Sequence, residues 1–263
     1  MSAAPLRVAA AQAVSVSGDV VANVRTATEL VHEAADADLV VLPELFLTGY
    51  DPDAWTPDNT VTGADPRLAP LCAAALATKT VVVVGAAVER NLSALVIDRA
   101  GVVCTRYDKQ HLSGEEKDAF VAGSHGTSIV VDGWEVGLGI CYDGCFPEHA
   151  MAAAGDGARL YVCPGAYFAG SEHRRDLYYA ARALDNGIYV AFAGLPGSCG
   201  DRQFGGGSAI YDPEGRTLAR AGNERAVVAA DIDPGEVTRV QNDVNPVALD
   251  RLQSMGERHR VSA

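Results

Sequence analysis

The sequence predicts an α/β sandwich. Three observations carry that prediction. Short apolar runs alternate with segments of helical apolar spacing, later runs are joined by tight turns, and polar residues recur where the runs end. Helical crossovers imply parallel pairs and tight turns imply antiparallel ones, so the sheet is expected to be mixed. At 263 residues and 48% hydrophobic, the chain can bury a large core as one domain, residues 1–263.

In order, Leu6 to Ala13 is an apolar run fit for a central strand. Asp19 can cap a helix in which Val20, Val24, Ala27, Leu30 and Val31 share one face. Asp38 to Glu44 reads as a buried strand halted by Pro43, which delivers Glu44 at its carboxyl end. Pro52 to Thr62 is the longest polar loop. Asp65 to Thr78 has a helical pattern and Thr80 to Val88 that of a strand. Leu92 to Asp98 and Val102 to Tyr107 pair across a turn at Arg99-Ala100-Gly101. Tyr107 to Gly123 is polar and loop-like. Val131 to Ile140 alternates as a strand, with Gly137 and Gly139 admitting close backbone approach. Pro147 to Ala154 suits a helix with proline in its first turn. A strand is expected over Ala158 to Cys163, a helix over Ser171 to Asn186 and a strand over Ile188 to Ala193. Gly205 to Asp212 runs from loop into strand, Ala226 to Ile232 is the last strand, and the remaining tail has a modest helical pattern.

The formal charge is 21 − 34 = −13. That argues against nucleic acid and anionic membrane as partners, because both need clustered Lys and Arg. No run reaches the ~18 apolar residues of a membrane span. Met1 to Arg7 lacks a basic region followed by an apolar stretch, so no signal peptide is expected. The six cysteines are scattered, which favours reduced thiols and a cytoplasmic protein.

Several apolar runs end in chemistry-bearing residues, and open α/β sheets place their ligand crevice at such ends. Cys141 falls between a strand and a helix, where helix N–H groups favour thiolate. A cysteine attacking a carbonyl carbon needs a base, an oxyanion partner and an acid for the leaving nitrogen. Glu44 can be the base if burial raises its pKa. Lys109 and the Tyr142 backbone N–H can hold the oxyanion, as the residue after a nucleophile does in a sharp elbow. Taken singly, each has a plainer reading: a buried small residue, an exposed loop acid and a solvated lysine.

Taken together, the segments form one pattern. Leu42-Pro43-Glu44 with Gly49-Tyr50, Tyr107-Asp108-Lys109-Gln110-His111-Leu112, and Gly139-Ile140-Cys141-Tyr142-Asp143 with Phe146-Pro147-Glu148 resemble the carbon–nitrogen hydrolase family, the nitrilase superfamily. Ala181 to Asn186 is similar to the family's arginine-alanine helix, with Asp185 where glutamate is usual. Val8 to Gln12 and Gly207 to Gly215 also look familial.

The resemblance implies a four-layer α-β-β-α fold with Glu44 as base, Lys109 as oxyanion stabiliser and Cys141 as nucleophile. It implies Glu116 as a second glutamate, with Phe120 and Gly123 completing that pattern. It implies no metal or organic cofactor, a small amide substrate, and a homodimer built on the helices after the cysteine and the arginine-alanine segment.

Relatives acting on carboxylate-bearing substrates commonly carry arginine four residues after the nucleophile. Cys145 stands there, so a neutral acyl group is expected unless Arg174 or Arg175 compensates. Tyr50, Phe146, Ala166, Tyr167 and Phe168 are candidate pocket residues. The expected activity is an amidase working through a thioester. N-carbamoyl amine hydrolysis and nitrile hydrolysis are the nearest alternatives, and a non-catalytic scaffold or a zinc site of Cys141, Cys145 and His149 are more distant ones.

Overall fold

The computed structural model describes residues 3–246 and Ala248. The chain runs β1 (Leu6–Gln12), α1 (Val20–Glu33), β2 (Leu39–Val41), α2 (Ala69–Thr78), β3 (Val81–Val88), β4 (Asn91–Ile97) and β5 (Val103–Asp108). It continues through α3 (Glu116–Ala119), β6 (Thr127–Val131), β7 (Trp134–Leu138), α4 (Pro147–Gly155), β8 (Leu160–Gly165), α5 (Glu172–Asn186) and β9 (Tyr189–Gly194). β10 (Pro196–Cys199), β11 (Arg202–Gly205), β12 (Ala209–Tyr211), β13 (Thr217–Arg220), β14 (Ala226–Ile232) and α6 (Pro234–Arg239) follow.

Two six-stranded sheets form, in the orders β14-β1-β2-β3-β4-β5 and β13-β12-β9-β8-β7-β6. Each has a parallel centre and antiparallel edges: β1, β2 and β3 pair parallel, as do β7, β8 and β9. The sheets face each other through β1 and β2 against β9, and β2 and β3 against β8, while α4 and α5 pack on the outer face of the second sheet. The architecture is the four-layer α-β-β-α sandwich.

The unbroken apolar runs follow from burial on both faces. In β8, Leu160 and Val162 enter the core between the sheets, while Tyr161 and Cys163 alternate outward to meet Tyr179, Ala183 and Ala154 beneath α4 and α5. Helix α1 starts as its sequence predicts: the Asp19 carboxylate accepts from the Ala22 N–H at 2.9 Å, and Val20, Val24, Ala27, Leu30 and Val31 are buried.

Two hairpins depart from the sequence reading. The segment read as one strand from Val131 is two strands, β6 and β7, folded back at Asp132 (φ 48°) and Gly133 (φ 80°) with Val131 opposite Trp134. Asp-Gly is the dipeptide such a tight turn requires. β10 and β11 form the second hairpin, in a stretch left unassigned from the sequence, with Gly197 and Gly200 at φ 67° and 56°.

Candidate active site

Glu44 follows β2 where the chain leaves the sheet over β3. The crossing is so close that a Cβ on Gly85 would stand 2.4 Å from the Pro43 carbonyl oxygen and 2.6 Å from Glu44 Cα. Only glycine leaves that space. Leu45 then takes φ 50°, a left-handed conformation disfavoured for a leucine, and the turn buries Glu44 completely. Gly85→Ala is therefore expected to displace Glu44 and lower kcat by about a hundredfold. Comparing kcat with the thermal midpoint checks this, and a variant with wild-type kcat would detach Glu44's placement from the contact.

Lys109 stands just beyond β5, its N–H bonded to Leu92 O and its carbonyl accepting from Gly123 N–H, each at 2.8 Å. Its Nζ donates to Glu44 Oε1 at 2.6 Å and to both oxygens of Glu116 at 2.8 Å. Glu116 also accepts from the Tyr50 hydroxyl at 2.6 Å and from the Ser113 N–H at 2.8 Å. One cation thus holds two carboxylates, and all three groups are buried.

Cys141 opens a five-residue 3₁₀ turn, Cys141–Cys145, with φ 46°. Close packing behind the turn needs two glycines. A Cβ on Gly139 would meet the Tyr161 hydroxyl oxygen at 1.8 Å, and one on Gly144 would meet Tyr179 Cε1 at 2.7 Å. The Tyr179 hydroxyl donates to the Cys141 carbonyl at 3.1 Å, and the thiol points to Ala166 O at 3.8 Å.

Electrostatics follow from this burial. Removal from water raises the Glu44 carboxyl to about 7, outweighing the neighbouring ammonium of Lys109. Burial alone would lower Lys109, but Glu44, Cys141 and Glu116 hold its ammonium above the ordinary range. Cys141 is raised well above a free thiol, first by burial and then by the Glu44 carboxylate, against the pull of Lys109. The resting sulfur is therefore protonated, contrary to the thiolate expected from helix N–H groups. The reason is geometric: α4 begins only at Pro147, whereas the carboxylate is a near neighbour. Glu44 Oε2 is buried without a hydrogen-bond partner among the described residues, leaving an acceptor in reserve.

Asp143, part of the Cys141 motif in the sequence but given no role there, belongs to this site. Fully buried, it accepts from the Ile140 N–H (3.0 Å), the His111 N–H (2.9 Å) and the Tyr107 hydroxyl (2.7 Å), and contacts His111 Nδ1 at 2.8 Å. Tyr107 and His111 flank Lys109 two residues on either side, and Asp143 lies two residues after Cys141. One carboxylate therefore joins the segments carrying the ammonium and the sulfur.

A family model described as carbon-nitrogen hydrolase matches residues 7–242. The chain belongs to the carbon-nitrogen hydrolase family. It is thus a hydrolase of non-peptide carbon–nitrogen bonds. Similar proteins include the deaminated glutathione amidase of Escherichia coli O157:H7, 34% identical over 83% of this chain and 87% of that protein. The 2-oxoglutaramate amidase of Bacillus subtilis is 32% identical over 81% of this chain and 84% of its own. Among solved structures, an amidase variant from Nesterenkonia sp. AN1 superimposes with a TM-score of 0.81 at 27% identity, covering 91% of this chain and 94% of that one. That variant carries the acetamide moiety of fluoroacetamide covalently added at its active-site cysteine.

Two adjoining cavities reach the site of this carbon-nitrogen hydrolase, one at Cys141 and the other at Glu116. One, of about 230 Å³, is lined by Cys141, Tyr142, Cys145, Ala166, Tyr167 and Arg174 among others. The other, of about 170 Å³, is lined by Trp55, Glu115, Glu116 and Arg202, and the two share Tyr50, Ser113 and Phe168. The Pro52 to Thr62 loop reaches the site through Trp55, whose ring lies edge-on to Tyr50 at 5.5 Å.

Phe146 departs from the expected lining. It belongs to neither cavity, because its ring packs on His111 (4.7 Å) and Tyr142 (5.0 Å) at the start of α4. A larger cavity of about 630 Å³, lined by Gln110, His111, Glu135, Glu148 and His149 among others, contains none of Glu44, Lys109, Cys141 and Glu116.

The zinc reading is not supported. Among the described residues, the donor atoms within 4.8 Å of one another belong to His111, Asp143 and His149, not to Cys141, Cys145 and His149. There the hydroxyls of Tyr107 and Tyr161 already engage both His149 nitrogens, at 2.9 and 3.0 Å.

Proposed function

We propose that the protein hydrolyses a small primary carboxamide to a carboxylic acid and ammonia through a thioester on Cys141. The observation that carries this reading is the buried Glu44–Lys109–Glu116 cluster beside a protonated thiol, with Glu44 Oε2 unengaged. Glu44 takes the Cys141 proton as sulfur attacks the carbonyl carbon. Lys109 and the Tyr142 N–H hold the charge that develops on oxygen, and Glu116 orients the amide nitrogen. Glu44 returns its proton to the departing nitrogen, the carbon–nitrogen bond breaks and ammonia leaves. Water, deprotonated by Glu44, then attacks the thioester, and the carbon–sulfur bond breaks with the proton returned to sulfur. Every proton is placed on a residue already in the cluster.

Tyr50, Ala166 and Tyr167 shape the acyl site. Its volume lies below the ~300–1,000 Å³ of pockets for drug-sized ligands, which supports a short acyl chain. The wall at residue 145 is uncharged: the Cys145 thiol lies 3.2 Å from the Tyr167 hydroxyl, so the acyl segment beside it is neutral.

Ammonia release from acetamide, propionamide, butyramide, a carbamoyl amine and a nitrile tests the reading. Turnover of the carbamoyl amine or nitrile without any amide would overturn it.

We also infer a single carbon-nitrogen hydrolase domain, working in the cytoplasm as a homodimer. No helix among the described residues is long and apolar enough to cross a membrane. All six cysteines are unpaired, which supports a reducing compartment. Leu177 and Leu184 are 67% and 47% exposed on the outer face of α5, an apolar face suited to a second copy. Light scattering is expected to give twice the 27.4 kDa chain mass, and a monomer at micromolar concentration would refute the dimer.

A further inference from the structure

The Cys141–Tyr142 peptide has two polar ends, and the reaction uses only one of them. No peptide bond among the described residues is cis, so the Cys141 carbonyl and the Tyr142 N–H point in opposite directions in one plane. The carbonyl is turned back beneath α5, where the Tyr179 hydroxyl donates to it at 3.1 Å. The N–H therefore faces away from α5, and no acceptor among the described residues engages it. Cys141 and Tyr142 both line the acyl cavity.

Tyr179 is itself held in place. It is fully buried, its ring stacks on Phe192 at 4.3 Å, and it abuts Gly144, where a Cβ would stand 2.7 Å from Tyr179 Cε1. Behind its hydroxyl lies that of Tyr167 at 3.3 Å, and the Cys145 thiol is 3.2 Å from the Tyr167 hydroxyl. Counting protons orients this row. Tyr179 spends its single O–H on the carbonyl, so Tyr167 donates to Tyr179. The single O–H of Tyr167 is then spent, so the Cys145 thiol donates to Tyr167. Burial raises all three groups above their ordinary ranges, which keeps each one protonated as a donor.

We propose that Tyr179 is the positioning residue of the oxyanion site: the row Cys145–Tyr167–Tyr179 fixes the Cys141–Tyr142 peptide so that its N–H is aimed at the substrate oxygen and polarised toward it. This rests on the amidase reading above. A donor on a peptide carbonyl draws charge from the nitrogen and strengthens the N–H at the other end. The dipoles of the row all point one way, and they end where negative charge collects in both half-reactions. No proton enters or leaves the row. Cys145 and Tyr167, walls of the acyl site, thereby also act in turnover.

Tyr179→Phe keeps the ring and removes the O–H. The test compares two reactions at Cys141: hydrolysis of a primary amide, which builds charge on oxygen, and alkylation by iodoacetamide, which displaces iodide and builds none there. In Tyr179→Phe, kcat should fall by about tenfold with KM little changed, the size of one buried hydrogen bond. Alkylation of Cys141, followed by mass spectrometry, should stay within about twofold of wild type, because the sulfur keeps its place. Tyr167→Phe, which does not touch the turn, should lower kcat by about threefold. The double variant should be no slower than Tyr179→Phe, since the row acts through its last hydroxyl. Wild-type kcat in Tyr179→Phe would overturn the proposal. So would an equal fall in kcat and alkylation, which would mean that the whole turn had moved. Should Tyr179→Phe fail to fold, Tyr167→Phe decides, and wild-type kcat there would overturn the row. A wild-type enzyme that is alkylated at Cys141 but hydrolyses no amide would overturn the amidase reading, and this proposal with it.

Discussion

Cys141→Ala is expected to abolish ammonia release, lowering kcat by at least about 10⁴-fold, since the nucleophile takes part in both half-reactions. The side chain is small, and the turn is held by contacts that alanine keeps: the Tyr179 hydroxyl on the residue-141 carbonyl, and the Asp143 carboxylate on the Ile140 N–H. Loss of turnover with an unchanged melting curve would therefore locate the chemistry at sulfur. A covalent readout makes the test independent of the natural substrate. Fluoroacetamide should add one acetamide unit to the wild-type chain and none to Cys141→Ala, although Cys104 is exposed in both. An adduct of equal yield in the variant, or retained turnover, would refute the assignment.

Glu44→Gln has the second-largest expected effect, a loss of about 10²–10⁴ in kcat/KM, the usual contribution of a positioned base. Its pH signature separates that role from mere packing. In wild type the Glu44 carboxyl is raised to about 7, so it is protonated below that pH and cannot accept the thiol proton. Then kcat/KM should fall as pH drops through about 7. Glutamine does not titrate, so the residual activity of the variant should lack that limb. A wild-type limb near the ordinary glutamate value, about 4.3, would mean that Glu44 is solvated and would remove it from the mechanism. Lys109→Ala is a poorer probe, because it strands two buried carboxylates and is expected to destabilise the fold by about 3–5 kcal/mol.

What the sequence revealed was set by range. Helix α1 declared itself because its cap and apolar face lie within one short window, Asp19 to Val31. Strands β2 and β3 did so because they are unbroken apolar runs between turn signals. The residues of the cluster were legible one segment at a time: Glu44 after a proline, Lys109 in a polar loop, Cys141 at a strand end. Their meeting was not legible from spacing, since 65 residues separate Glu44 from Lys109. It was expected from the strand-end crevice of open α/β sheets and, residue by residue, from the family resemblance.

Other features stayed hidden for physical reasons. Asp143 carries no role within its sequence motif, because the donors that surround it come from Tyr107 and His111 in a distant segment as well as from Ile140. The thiol departs from its local rule, helix N–H groups, because burial and then a carboxylate from a distant segment raise it, and no window around Cys141 contains either. Phe146 was misplaced because an aromatic beside the nucleophile has two sides to pack on, and His111 holds it away from the cavities. Asp132-Gly133 was the exception: the hairpin signal was local and complete, and it was passed over.

The clamp at Asp143 ties two layers of the sandwich. Tyr107 lies on an edge strand of one sheet, while Asp143 lies in the turn after a strand of the other, so the carboxylate rivets the two halves together beside Cys141 and Lys109. The spacing of sulfur and ammonium is thereby fixed by a hydrogen bond between sheets rather than by either sheet alone.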